Sequence, residues 1–165
     1  MDAVRPGAGG DETAVTAAQL REAGQVRDGD LAVLMVLGAG YGVTRLAFLL
    51  AGLPVELPGR MRSERVLYFP PPPQPPGKAG RKPGRGAEFK SEDTTWPVPA
   101  HTTTSATSRY GQAVARSWDR LHPLLSRRSA WADHPAGGLP VIPGTVIRLQ
   151  AGHLPGDRDP KPVWL

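Results

Sequence analysis

The longest uninterrupted apolar run of the chain is LAVLMVL, residues 31–37. It is continuous rather than alternating and rich in Val and Leu, which predicts a strand buried on both faces. A cluster of glycines follows at Gly38, Gly40 and Gly42. From residue 44 to residue 51 the apolar period changes, with Leu46, Leu49 and Leu50 on one side of a predicted helix that Gly52 and Pro54 end. Residues 55–57 then predict a second strand. Strand, helix and strand in that order describe an α/β unit. Upstream, Thr13 or Thr16 caps a short predicted helix that Gly24 stops, VRDGD reads as a turn, and residues 1–12 read as a disordered leader.

Beyond Pro58 the pattern is different. GRMRSERVLYFP carries Arg60, Arg62 and Arg65 at near-alternating positions, so a strand there would expose a basic face. PPPPQPPGKAGRKPGRG, residues 70–86, starts polyproline-like and ends basic and glycine-rich with Lys78, Arg81, Lys82 and Arg85, a composition too polar to pack and too rich in Pro to pair. HTTTSATSRYGQAVARSWDRLHP resumes with β-favouring Thr, Val, Tyr and Trp. TVIRLQAGHL and KPVWL flank PGDRDP, the turn residues of a hairpin. The expected organisation is a leader over 1–12, an α/β core over 13–68, a Pro/Gly-rich basic linker over 69–100 and a mainly β region over 101–165.

Composition narrows the function classes. The chain has 165 residues, a formal net charge of +5 and no cysteine, which excludes disulfide scaffolds, thiolate metal sites and a Cys nucleophile. The 20 Gly and 19 Pro leave stretches unable to bury enough apolar surface to offset their ordering entropy. The basic balance favours a polyanion such as nucleic acid over an acidic small molecule. Residues 31–55 are long enough to span a bilayer, but Arg45 at mid-segment costs about 2.5–3.5 kcal/mol there and Pro54 ends the run. The N-terminus lacks the basic start and apolar run of a signal peptide. A cytoplasmic chain with no membrane partner is expected.

Several constellations offer chemistry and fall short of a motif. The glycine cluster could bring backbone N–H groups to a phosphate, yet Val43 stands where G-x-G-x-x-G needs its third glycine and Glu56 arrives early for the ribose carboxylate. Ser117, Asp119 and His122 supply the residue types of a hydrolytic triad without a nucleophile elbow. His101, His122, His134 and His153 have no ligand-like spacing, and Asp157 and Asp159 sit in a turn that favours Asp for its own backbone bonds. A nucleotide-binding α/β domain using Gly38, Gly40 and Gly42, and a non-catalytic nucleic-acid binder using the seven basic residues Arg60, Arg62, Arg65, Lys78, Arg81, Lys82 and Arg85, remain as alternatives.

The run VLGAGYGVTRLAFLLAGLPVELPGRMRSERV resembles the central segment of DDE transposases from bacterial insertion sequences, where an apolar strand leads into D-A-G-Y-D and a helix. RYGQAVARSWDRLHP and VIRLQAGHLPGDRDPKPVWL resemble the β-rich insertion that follows in that family, so the likeness covers about residues 13–165. It implies a partial RNase H-like core, an ancestral role in DNA transposition and DNA as partner, with no small-molecule cofactor. Ala39, Gly40 and Tyr41 agree with the family's A-G-Y, while Gly38 and Gly42 stand where it has Asp. In intact members three carboxylates hold two Mg²⁺ ions for in-line attack on a phosphodiester. Gly38 takes the place of the second catalytic Asp. The first Asp is expected on a strand before residue 13 and the Glu on a helix after Leu165. The resemblance therefore implies an internal, degenerate fragment, catalytically inactive, with no cofactor of its own.

Overall fold

The computed structural model describes residues 19, 22–24, 33–62, 64–73, 76–77, 83–155 and 158–165. The expected leader and most of the first helix lie outside them. Gln19 and Glu22 are helical, Ala23 N–H donates to the Gln19 carbonyl (2.9 Å), and Gly24 has φ +68°. That left-handed conformation is the one glycine adopts without penalty at a helix end. The chain divides into two compact units, Met1–Arg60 with Leu125–Ile142, and Met61–Leu124 with Pro143–Leu165.

In the first unit β1 (Val33–Leu34), α1 (Val43–Leu49) and β2 (Val55–Glu56) form the expected strand, helix and strand. β1 and β2 are parallel, with Val33 opposite Val55, and a bridge from Leu37 to Gly59 continues the pairing. The N–H groups of Val33, Met35 and Leu37 donate to the carbonyls of Pro54, Glu56 and Pro58 at 2.8–2.9 Å, and Arg60 N–H donates back to Leu37 (3.0 Å). Burial on both faces does not hold: Leu37 is buried while Leu34 and Val36 are 60% and 73% exposed. Successive strand residues point to opposite faces, and among the described residues the face of Leu34 and Val36 is left exposed.

α1 buries Leu46, and Leu50 at its C-cap is buried as well. Its remaining flank meets the segment 125–142, which contains a 3₁₀ turn (Ser129–Trp131). The rings of Phe48, Trp131 and His134 stand edge to face, with centroids 5.3–5.7 Å apart, and the Arg45 guanidinium lies 5.0 Å over Trp131. Arg45, unfavourable in a bilayer, is here held against aromatic faces. Arg127 closes the segment, donating to the carbonyls of His134, Pro135 and Gly137.

The second unit is a six-stranded sheet among the described residues, ordered β4-β3-β6-β7-β8, with β5 also on β6. The strands are β3 (Val66–Tyr68), β4 (Glu88–Lys90), β5 (His101–Thr107), β6 (Gly111–Pro123), β7 (Gly144–Ala151) and β8 (Val163–Trp164), all paired antiparallel. The predicted hairpin around PGDRDP is present as β7 and β8. β6 anchors the sheet, and a bulge between Trp118 and Leu121, where Arg120 has φ 62°, bends it toward β3.

The core gathers Leu67, Phe89, Trp118, Leu121, Val146 and Trp164, with Met61, Phe69 and Trp96 packed against it. Trp118 Nε1 donates to the Pro97 carbonyl and Trp96 Nε1 to that of Lys90, each at 2.8 Å, so these two indole donors are satisfied. Phe89 and Trp96 come from the stretch expected to be linker. Proline-rich flanks hide a short strand whose one large apolar side chain suffices to join the core, and Gly86 permits its entry: a Cβ there would collide with the Pro70 carbonyl oxygen.

Candidate functional site

The glycine turn joins the C-terminal end of β1 to α1. Tyr41 N–H donates to Gly38 (3.2 Å), Val43 N–H to Tyr41 (3.1 Å), and Arg45 and Leu46 both donate to Gly42 (2.8 and 3.1 Å). Gly42 is the N-cap of α1 and, having no side chain, leaves the helix uncapped by any side-chain oxygen. None of Gly38, Gly40 and Gly42 has a left-handed φ. A Cβ on Gly38 or Gly40 would meet nothing within 4 Å, and on Gly42 only the Arg45 Cβ at 3.9 Å. Neither conformation nor crowding requires glycine at these three positions.

Gly59, by contrast, must be glycine, because a Cβ would run into the Val43 side chain where β2's continuation passes under α1. The contrast separates glycine needed for close backbone approach from glycine standing in open space.

The two metal ions implied by the resemblance do not fit the residues present. Gly38 and Gly42, which the resemblance aligns with Asp, have no side-chain donor atom. Among the described residues no group of three or more His, Asp or Glu side chains comes together to hold an ion. The phosphate-cradle alternative gains no support either, since α1 has only seven residues.

The basic residues fall in different settings. Arg60 is exposed in the first unit, and Arg62 and Arg65 share an exposed turn of the second, with Arg65 N–H donating to Arg62 (3.2 Å). Arg62 pairs with Glu64 at 3.8 Å, both largely exposed, an arrangement worth at most about 1 kcal/mol. Arg85 lies 4.7 Å over the Tyr68 ring. Lys78, Arg81 and Lys82 lie outside the described residues.

The triad residue types are not assembled. Asp119 accepts from Thr145 Oγ1 (2.9 Å) and faces His101 Nε2 (3.6 Å). His122 is buried beside Tyr68, its Nδ1 3.5 Å from the Pro123 carbonyl oxygen. Asp159 is exposed, and Asp157 lies outside the described residues.

Sequence reasoning missed a second basic feature. Arg116 on β6 stands directly opposite Arg148 on β7, and Arg148 opposite Trp164 on β8. The Arg148 guanidinium lies 5.2 Å over Trp96 and 5.9 Å over Trp164, and its Nε is buried without a hydrogen-bond partner. Burial, and after it the charge of Arg116, lowers the pKa of Arg148 from its usual value. The available signal was register: with Val146 facing the core, Arg148 falls on the same face two residues on.

No helix among the described residues is long and apolar enough to cross a membrane. Searches of curated proteins and of solved structures returned no match. A profile described as DDE superfamily endonuclease matches residues 2–124, from the leader through β6. That match covers three quarters of the chain and includes the β1–α1–β2 unit with its glycine turn, so the protein belongs to the DDE superfamily endonuclease family.

Proposed function

We propose that the chain descends from an insertion-sequence transposase, in an inactivated copy, and that it binds DNA without cutting it. The observation that carries this reading is Gly38. It lies in the turn between β1 and α1, in open space that would accept a side chain, and we align it with the family's second catalytic Asp. A two-metal mechanism needs carboxylates to hold both ions around the attacked phosphodiester, and glycine supplies none. The parallel β1–α1–β2 unit supports derivation from an RNase H-like core. DNA contact is assigned to Arg60, Arg62, Arg65, Lys78, Arg81, Lys82 and Arg85, whose side chains can neutralise backbone phosphates irrespective of sequence.

The test pairs two assays on the purified full chain. Incubation with supercoiled plasmid and Mg²⁺ or Mn²⁺ is expected to leave it unnicked, for the wild type and for Gly38→Asp alike, because one restored carboxylate does not build a two-metal site. Duplex DNA binding across a salt series is expected to weaken steeply with salt. Metal-dependent nicking that follows the chain through successive purification steps would overturn catalytic silence. A flat salt dependence, or no binding at low salt, would overturn the DNA-binding half.

A further inference from the structure

We propose that Arg116 and Arg148 form a binding site for one phosphate group on the sheet of the second unit, and that a backbone phosphodiester of bound DNA fills it. The inference rests on the DNA-binding reading above and adds a site that the seven basic residues do not include.

Three observations carry it. First, the two arginines are register partners on adjacent antiparallel strands, which sets their Cβ atoms about 4.5–5.5 Å apart, and like charges so placed destabilise a sheet. Among the described residues no carboxylate forms an ion pair with either. Second, Arg148 is held in place rather than free to swing away. Its guanidinium packs over Trp96 and Trp164, whose rings are 5.3 Å apart and belong to the core's aromatic cluster. Third, Arg148 Nε has lost water and gained no acceptor. A buried donor left without a partner is destabilising, more so when charged.

An oxyanion answers the first two directly. It neutralises the Arg116–Arg148 repulsion, and its oxygens accept from guanidinium groups in the forked geometry that arginine offers phosphates. The indole faces leave the terminal Nη donors of Arg148, which unlike Nε are not buried, available to it. Thr102, the register partner of Arg116 on β5, puts a hydroxyl beside the pair. Arg116 is exposed, so the site opens to a ligand as large as a duplex backbone. The lowered pKa of Arg148 fits the same reading, since a bound anion favours the charged form that burial and the charge of Arg116 disfavour.

The experiment uses the full chain, with Arg116→Gln as the main variant because Arg116 is exposed and its loss spares the aromatic core. Arg148→Lys, which keeps the charge and loses the planar stack, is the second. Two probes are compared: inorganic phosphate, read by thermal shift, and a 20-base-pair duplex, read by anisotropy from low to moderate salt. Phosphate is expected to raise the Tm of the wild type and not of Arg116→Gln. Duplex affinity of Arg116→Gln is expected to fall about tenfold at low salt, and its log–log salt slope to shrink by about 0.9, one phosphate contact. Arg148→Lys is expected to lose affinity despite its unchanged charge.

Wild-type duplex affinity and slope in a folded Arg116→Gln would overturn the site while leaving DNA binding through the other basic residues intact. Should the wild type bind no duplex, the DNA reading fails and the phosphate arm decides alone. A Tm rise abolished by Arg116→Gln then retains an anion site for free phosphate, and the absence of any rise overturns the site.

Discussion

The ring of Phe89 lies 5.2 Å from that of Trp118, centroid to centroid, although 29 positions of chain and the whole of β5 separate the two residues. Phe89 is 1% exposed and also meets Phe69 and Trp164. Phe89→Ala is therefore expected to cost about 3–5 kcal/mol, read by urea denaturation of the full chain. Pro72→Ala, at an exposed position in the proline run, is expected to change stability by less than about 0.5 kcal/mol. A loss under about 1 kcal/mol for Phe89→Ala would remove β4 from the core.

Gly59→Ala is expected to destabilise the first unit by about 1–3 kcal/mol, because the new methyl overlaps Val43. Adding Val43→Ala makes room, so the double variant is expected to recover part of that loss relative to Val43→Ala alone. Strict additivity in a double-mutant cycle would contradict the close approach.

Gly38→Asp and Gly42→Asp carry the opposite expectation. Both positions have ordinary φ and space for a side chain, so neither variant should lose stability. At Gly42 the carboxylate stands at the N-terminus of α1, which has no side-chain cap and no acidic residue in its first turn, a placement worth a few tenths of a kcal/mol over glycine. Thermal denaturation checks both, and a fall of several degrees for either would mean that glycine is required at the turn after all.

Arg120 adopts φ 62° at the bulge of β6, a conformation that costs a side-chain-bearing residue roughly 1–2 kcal/mol. Asn visits that region more readily. Arg120→Asn is expected to raise stability by up to about 1 kcal/mol, while Arg120→Val lowers it, each measured by the urea midpoint at constant m-value.

What was legible in the sequence had a local cause. The strand, helix and strand around the glycine turn follow from a change of apolar period, and the β7–β8 hairpin from its turn residues. Gly38 stood out against a family pattern, and its open surroundings fit that reading. What stayed hidden depends on distant chain. Leu34 and Val36 read as core because their own segment is apolar, whereas among the described residues nothing covers their face of β1. Phe89 and Trp96 sit among Pro, Gly and charge, so no window around them signals burial. The Arg116–Arg148 pair exists only once β6 and β7 are in register, and 31 residues of intervening sequence conceal it.

The path of the chain through its two units bears on its synthesis. It crosses between them after Arg60, after Leu124 and after Ile142, so neither unit is one contiguous piece of the gene. A ribosome adding about 5–20 residues per second has released β1, α1 and β2 long before Trp131 exists to pack on Phe48, and β6 before β7 exists to pair with it. The first unit has to wait, incomplete and with Phe48 lacking Trp131 and His134, through the making of more than sixty residues that belong to the other. Nascent-chain helpers thus have a defined window in which to act, and a frameshift or stop anywhere between residues 61 and 142 spoils both units at once.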